Sequence, residues 1–145
     1  MKKISQPTKI THHQISCTPI PELGETFEGF YHKGKKAIKK LLQEKRGQIT
    51  GAFYNNEIGD IDLVWGKIIN KQKKKGMGLV HILNKHPDFD LRKIPKIIKK
   101  GKLEKTYNGY NIIYKNYLVG INKGWKQNGI ESYKNNWIVT SYEKK

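Results

Sequence analysis

The stretch LEKTYNGYNIIY, residues 103–114, decides the fold class of this chain. Asn108-Gly109 is the dipeptide most typical of a two-residue hairpin turn, because both central positions of that turn need a positive φ. Apolar and aromatic residues flank the dipeptide, so the sequence predicts antiparallel strands over 103–107 and 110–115. Two further strands are predicted to extend the same sheet, over 117–121 and 137–142.

A second hairpin is predicted upstream, where a strand over 48–54 has apolar residues on one face. After the Asn55-Asn56 turn, apolar residues at 61, 63 and 65 alternate with acidic residues at 60 and 62. Three stretches have helical periodicity and predict helices over 33–46, 77–85 and 92–100. Because helices and strands occur in blocks, the predicted class is α+β with a mainly antiparallel β-sheet.

The length of 145 residues is that of one domain, which needs neither a disulfide nor a metal ion to bury a sufficient core. Residues 1–30 have no strong periodicity and contain three prolines, so we interpret them as an extended lead-in. Residues 31–145 are then the folded domain. Residues 67–75 are predicted to be a cationic loop, and residues 122–136 a second loop of variable character.

The charge of the chain indicates the chemistry of its partner. It has 29 basic residues against 12 acidic ones, a formal net charge of +17. All but two of the basic residues are lysine, which suggests a compositional bias, but such a bias does not explain the scarcity of acids. A polyanion is the expected partner, with nucleic acid first and an acidic protein or a membrane surface as the alternatives from charge alone.

Cysteine usage and hydropathy exclude several classes. Cys17 is the only cysteine, so the chain has no internal disulfide and no zinc site built on cysteine pairs. No window approaches 18 apolar residues, and no apolar run follows the first lysines, so neither a signal peptide nor a membrane-spanning helix is predicted. Of the carboxylates, only Asp60 and Asp62 share a strand face, so we predict neither a metal nor another cofactor.

The segment GMGLVHILNKHPD, residues 76–88, carries the main candidates for chemistry. On a helical projection Leu79, Ile82 and Leu83 form the apolar stripe. His81 and Lys85 lie one turn apart on the opposite face, as an acid/base group and a cation for a phosphate would. The alternatives are that His81 is an ordinary surface histidine and that His86, on the apolar side, is a packed or helix-capping histidine.

The last strand, WIVTSY, supplies hydroxyl groups at Thr140 and Ser141. Strand alternation allows only one of them to face a cleft, with Ile138 and Tyr142 on the face of Thr140. The residues leave open which hydroxyl that is. RNA can be cleaved without a metal because its 2′-hydroxyl attacks the adjacent phosphate, so histidine, lysine and hydroxyl groups suffice for the reaction.

The chain contains, in this order, the motifs GKKAIKKLLQEKRGQITGAFY, IGDIDLVWG, GMGLVHILNKH and WIVTSYEKK. Over residues 33–143 these motifs resemble phage and mobile-element nucleases of the barnase/EndoU/colicin/RelE-like superfamily. The resemblance implies the BECR fold, with N-terminal and central helices on an antiparallel sheet. It also implies a metal-independent endoribonuclease that leaves a 2′,3′-cyclic phosphate. The family pattern falls on the helical His81, Lys85 and His86, and on Thr140 or Ser141 for the hydroxyl of the last strand.

The resulting hypothesis is a toxin or phage effector that acts in the cytoplasm of the producing or target bacterial cell, with RNA as substrate and an acidic immunity or antitoxin protein as a further partner. The rivals are a non-catalytic nucleic-acid-binding module on the same fold and an interaction domain for an acidic protein. Tyr110 and Trp125 are additional candidates for base stacking. The predicted RNA-binding residues are Lys35, Lys36, Lys39, Lys40, Trp65, Lys67, Lys73, Lys74, Lys75, Tyr107 and Tyr142.

Overall fold

The structure, a computed structural model, describes residues 18–127 and 130–144, with side chains at 126–127 and 130–132 left out. The described part of the chain contains three α-helices, eight strands and two short 3-10 turns, Pro21–Leu23 and Leu91–Lys93. The helices are α1 Gly34–Glu44, α2 Gly78–Lys85 and α3 Ile94–Lys100. The strands are β1 Gln48–Asn55, β2 Gly59–Val64, β3 Lys67–Asn70, β4 Lys75–Met77, β5 Lys102–Lys105, β6 Gly109–Tyr114, β7 Tyr117–Gln127 and β8 Ile130–Glu143.

Six of the strands form one sheet in the order β1-β2-β8-β7-β6-β5. Every neighbouring pair in it is antiparallel except β2 and β8, which run parallel and pair at only two positions, Ile61–Asn136 and Asp62–Trp137. β3 and β4 form a separate antiparallel hairpin. The predicted α+β class with a mainly antiparallel sheet is confirmed.

Helices α1 and α3 bury the apolar face that their sequence pattern predicts, and α2 does so only in part. In α1, Ala37, Ile38 and Leu41 are buried and the lysines lie on the other side. The helix ends where Lys45 adopts a left-handed conformation. α3 buries three isoleucines and ends at Lys100, as predicted, with Gly101 as its C-cap. None of the helices in the described part has the length and apolar content needed to cross a membrane.

Two core clusters lie on opposite faces of the sheet. The main cluster contains the buried residues of all three helices together with Val119, Ile121 and Ile138. The second contains Ile20, Leu23, Val64 and Trp137. Neighbours such as Trp137 and Ile138 belong to different clusters because successive strand residues point to opposite faces.

The part of the predicted lead-in that the structure describes packs against the domain. Ile20 and Leu23 are buried, and the Gln48 side chain donates to the carbonyl oxygens of Ile20 and Gly24 at 2.7 and 2.8 Å. Thr26 also forms an isolated parallel bridge with Gln48. Residues 18–30 therefore contribute to both cores, because Phe27 and Phe30 pack against the main one, while residues 1–17 lie outside the described part.

The structure corrects both loop predictions. Residues 67–75 contain β3, a turn and the first residue of β4. Their lysine side chains are exposed on this two-stranded hairpin, which has only a weak apolar pattern. Residues 122–136 mostly continue β7 and β8, which pair as far as Gln127 and Ile130. This segment is rich in Gly, Asn and Lys, which have low strand propensity, so its strand conformation comes from cross-strand pairing such as Trp125–Tyr133.

Candidate active site

Helix α2 is fixed to the end of β2 by a close backbone contact between two glycines. Gly66 and Gly78 both have a positive φ, and a Cβ on Gly66 would lie 1.9 Å from the carbonyl oxygen of Met77. The Val80 N–H donates to the Trp65 carbonyl at 3.0 Å, which ties the first turn of the helix to the same segment. The glycines of the WG and GMG motifs are therefore needed for this attachment.

His81, in the middle of α2, and His86, which follows its last residue, have neighbouring side chains. Their ring centroids are 6.3 Å apart and the rings are nearly perpendicular. His86 caps the helix through its N–H, which donates to the Ile82 carbonyl at 2.7 Å, and its ring stacks on Tyr142 of β8 with centroids 4.7 Å apart. The helix thus brings His81, His86 and the last strand to one place.

His81 is not on the solvent-exposed face where the helical projection put it, because its exposed fraction is only 6%. A Cβ at Gly76 of β4 would lie 3.4 Å from the Cβ of His81, so the β3–β4 hairpin covers this side of α2. Leu83, predicted to belong to the buried stripe, is instead 39% exposed. Lys85 is exposed, as predicted.

Burial lowers the pKa of both histidines, and nearby positive charge lowers it further. For His81 that charge comes from Lys85. For His86 it comes from Lys85, His81 and Lys74, the last of these in the turn between β3 and β4. Neutral imidazole is consequently the favoured form of each at pH 7, as a general base requires.

Of the two candidate hydroxyls, Ser141 has a structural partner. It is fully buried, and its Oγ donates to the Leu118 carbonyl at 2.8 Å. Thr140 Oγ1 is buried without a hydrogen-bond partner among the described residues, and the same holds for His81 Nδ1. Buried polar atoms are nearly always paired, and the described residues contain two further unpaired ones, Asn84 Nδ2 and Asn136 Oδ1, so a bound ligand is one explanation for the missing partners of His81 and Thr140.

A bulge in β8 decides which way Thr140 points. Gly120 of β7 pairs with Thr140, but Ile121 pairs with Ile138, so Val139 is an extra residue on β8. Ile138 therefore packs into the main core and does not share the face of Thr140, contrary to the prediction from strict alternation. Thr140 and Tyr142 share the other face, where His86 stacks.

The row of residues across the sheet at Thr140 contains two positions that the sequence analysis missed. Asn111 of β6 pairs with Gly120, which pairs with Thr140. A Cβ on Gly120 would lie 3.0 Å from Thr140 Cγ2 and 3.6 Å from Asn111 Oδ1, so the glycine leaves a gap between two polar side chains. A glycine inside an apolar strand pattern was the available signal for such a gap.

The predicted RNA-binding lysines are divided between two regions. Lys35, Lys36 and Lys39 line a cleft of about 400 Å³ together with Arg92, whereas Lys40 pairs with Glu44 at 3.0 Å. Lys67, Lys73, Lys74 and Lys75 are exposed on the β3–β4 hairpin. Of the predicted lysines, Lys74 and Lys85 are those whose charge acts on the histidine pair.

The predicted aromatic residues differ in exposure. Trp65 and Tyr110 are partly buried against the main core, whereas Tyr107 is fully exposed in the β5–β6 turn. Trp125 is half-buried with its ring centroid 5.7 Å from that of Trp137. Tyr142, predicted to bind RNA, is the residue on which His86 stacks.

A cleft of about 550 Å³ lies away from the histidine pair. Its lining includes His32, whose Nε2 lies 2.8 Å from Asp60 Oδ1. The described residues contain no cluster of three His, Cys, Asp or Glu side chains suited to a metal ion. Asp60 and Asp62 have separate partners, His32 and Tyr31 for the first and Gly51 and Asn135 for the second.

Comparison with known proteins gives one match. The profile of the family described as phage-Barnase-EndoU-ColicinE5/D-RelE like nuclease1 matches residues 52–145, which include α2 and the strands from β2 to β8. Helix α1 lies outside the matched region. No curated protein and no solved structure matches the chain.

Proposed function

We propose that this chain, which belongs to the phage-Barnase-EndoU-ColicinE5/D-RelE like nuclease family and is a nuclease, is a metal-independent endoribonuclease. We further propose that it acts as a toxin or phage effector. The single observation that carries the proposal is the grouping of His81 and His86 with Tyr142, on the sheet face of Thr140. This grouping supplies the acid, base and hydrogen-bond donor that cleavage of RNA through its own 2′-hydroxyl needs.

In the proposed reaction one histidine, neutral, takes the proton of the 2′-hydroxyl while that oxygen attacks the adjacent phosphorus. The bond from phosphorus to the 5′-oxygen breaks, and the other histidine, protonated, gives its proton to the leaving oxygen. The products are a 2′,3′-cyclic phosphate and a free 5′-hydroxyl. His81 and His86 repel each other's positive charge, so the pair favours a state with at most one proton, and the singly protonated state contains both a base and an acid.

The remaining groups act on the charge of the phosphate. Thr140 Oγ1 donates to a phosphate oxygen, which gives this buried hydroxyl the partner that the described residues do not provide. Lys85 and Lys74 stabilise the additional negative charge of the transition state. The net charge of +17 supports an RNA substrate held by phosphate contacts, and also an acidic immunity or antitoxin protein as a neutralising partner.

The test is incubation of the full chain with total RNA in EDTA, followed by analysis of the product ends. Wild type is expected to give cyclic-phosphate ends, and H81A and H86A are expected to give none. The matched control is H32N, which removes a histidine outside the proposed site and places asparagine where φ is +56°.

A 2′-O-methyl oligoribonucleotide separates the nuclease from a non-catalytic RNA-binding module. It lacks the attacking hydroxyl proton, so the proposed enzyme binds it without cutting it. Cleavage of the methylated chain, or wild-type cleavage that requires an added metal ion, contradicts the proposed chemistry. Intact RNA that still binds the protein favours the binding module.

A further inference from the structure

A small pocket lies next to the proposed reaction site, between the beginning of α2 and the β7–β8 pair. It has a volume of about 290 Å³ and is lined by Met77, Asn108, Asn122, Lys123, Trp125 and Trp137. We call it the Trp125 pocket. Neither the predicted catalytic chemistry nor the phosphate contacts of the lysines use it.

The aromatic floor of the Trp125 pocket is held rigidly. Trp137 is buried, and its Nε1 donates to the Gly124 carbonyl at 2.9 Å. The half-buried Trp125 ring lies against it at an angle of 51°. Such a preformed apolar surface suits a flat aromatic ligand, because stacking then requires little reorganisation.

The rim of the pocket carries carboxamides. Asn122 is half-buried on β7, and Asn108 is exposed in the β5–β6 turn. The Lys123 N–H donates to the Asn108 carbonyl at 2.9 Å, which fixes that turn to β7. A carboxamide offers both donors and an acceptor, the combination that reads the edge of an unpaired base.

The charge around the pocket favours a nucleotide. A second cleft of about 450 Å³ adjoins the Trp125 pocket, and the two share Asn108 and Lys123. Within the described part of the chain, no acidic residue lines either of them. The adjoining cleft adds Lys105, Tyr107 and Tyr110. Lysines beside aromatic rings are the combination that binds single-stranded nucleic acid.

The pocket is also at a suitable distance from the reaction site. Asn122 follows Gly120 by two residues on β7, so both lie on the same face of the strand, about 6.6 Å apart. Gly120 is the strand partner of Thr140. Tyr142, on which His86 stacks, pairs with Leu118 on the other side of Gly120, so the pocket and the histidine pair flank the position of Thr140.

We propose that the Trp125 pocket binds the unpaired base next to the cleaved phosphate and that Asn108 and Asn122 select among bases. This inference rests on the proposed function for its RNA substrate, but it does not require that the chain be catalytically active. Trp125 supplies stacking, which is similar for all bases, whereas the two carboxamides supply discrimination.

The experiment measures binding without cleavage. Homopolymeric 2′-O-methyl oligoribonucleotides of A, C, G and U are titrated with the full-length protein at low salt, and each Kd is obtained by fluorescence anisotropy. Wild type is expected to prefer one base. N108A and N122A are each expected to reduce the ratio of weakest to tightest Kd by about fivefold, the effect of one hydrogen bond. W125F is expected to weaken all four complexes similarly.

The matched control is N56A, an exposed asparagine in the β1–β2 turn that does not line the pocket and should leave the ratio unchanged. Asn108 lies in a turn, so its variant keeps the test valid even if N122A unfolds. Equal affinity of wild type for all four bases, or a preference that N108A retains, overturns the pocket proposal alone. Failure of every oligonucleotide to bind overturns it together with the RNA substrate of the proposed function.

Discussion

Replacement of Asp62 by asparagine is expected to change how the stability of the protein depends on pH. Asp62 is 2% exposed, and its carboxylate accepts the Gly51 N–H at 2.8 Å and the Asn135 Nδ2 at 2.7 Å. Burial raises the pKa of Asp62 from 3.8 to about 6, because the cost of desolvating the charge exceeds the effect of these two hydrogen bonds. The carboxyl group therefore holds a proton in the folded state at a pH where the unfolded chain has lost it.

The direction of the effect follows from this difference in proton binding. The stabilisation is fully present below the unfolded pKa of 3.8 and is lost as the pH rises through the folded pKa of about 6. At about 1.4 kcal/mol for each unit between the two pKa values, the loss is about 3 kcal/mol. The D62N side chain does not titrate. If the substitution also loses a hydrogen bond, it lowers the free energy of unfolding by the same amount at every pH.

Urea unfolding followed by tryptophan fluorescence measures the free energy of unfolding at several values from about pH 4 to about pH 7. The wild-type value minus the D62N value is expected to fall by about 2.4 kcal/mol across this range, somewhat less than the full difference, because at pH 4 the unfolded carboxyl has already lost more than half of its proton. D88N, a substitution at an exposed acid, should follow the wild-type curve. A difference that stays constant, or that rises with pH, would refute the assignment of Asp62 as a carboxyl group with a raised pKa.

The remaining predictions concern the site. K85M removes a charge that lowers the pKa of both α2 histidines, so NMR titration should show both values raised, while the exposed-lysine control K96M leaves them unchanged. T140V is expected to reduce RNA cleavage by about 100-fold with little change in Tm. S141A, which removes the bond to the Leu118 carbonyl, should cost about 1 kcal/mol in urea unfolding. G120A fills the gap beside Thr140 and is expected to reduce cleavage rate more than Tm.

The sequence was informative where local chemistry decides the structure. The Asn108-Gly109 dipeptide predicted a hairpin, and a hairpin is present, but the turn lies one residue earlier than predicted. Neither Asn108 nor Gly109 has a positive φ, Tyr107 and Asn108 lie between Thr106 and Gly109, and Gly109 begins β6. Helix α2 was predicted over 77–85 and runs over Gly78–Lys85, because Pro87 and the apolar repeat act within one or two turns. Such signals depend on few neighbours and are therefore readable without the fold.

The errors at the candidate site come from tertiary contacts. A helical projection considers only the helix itself, so it cannot show that the β3–β4 hairpin covers His81; that hairpin was also the segment predicted to be a loop. The face of Thr140 was set by the bulge at Val139, which breaks the alternation on which the prediction relied. Asn111 was not recognised as a neighbour of the site because two strand pairings, Asn111 with Gly120 and Gly120 with Thr140, bring it near Thr140.

The lowered pKa of the two histidines is consistent with a site in which the bound substrate supplies a negative charge. Without a ligand, Lys85 and Lys74 add positive charge near His86, which disfavours the protonated imidazole that the proposed reaction needs as an acid. In the proposed function, a bound phosphodiester brings a negative charge among these groups and accepts a hydrogen bond from Thr140. That charge raises the pKa of the neighbouring histidines, so binding of RNA itself favours the singly protonated pair. In the proposed function the lysines attract the phosphate, and the phosphate in turn favours the protonated histidine that donates to the leaving oxygen.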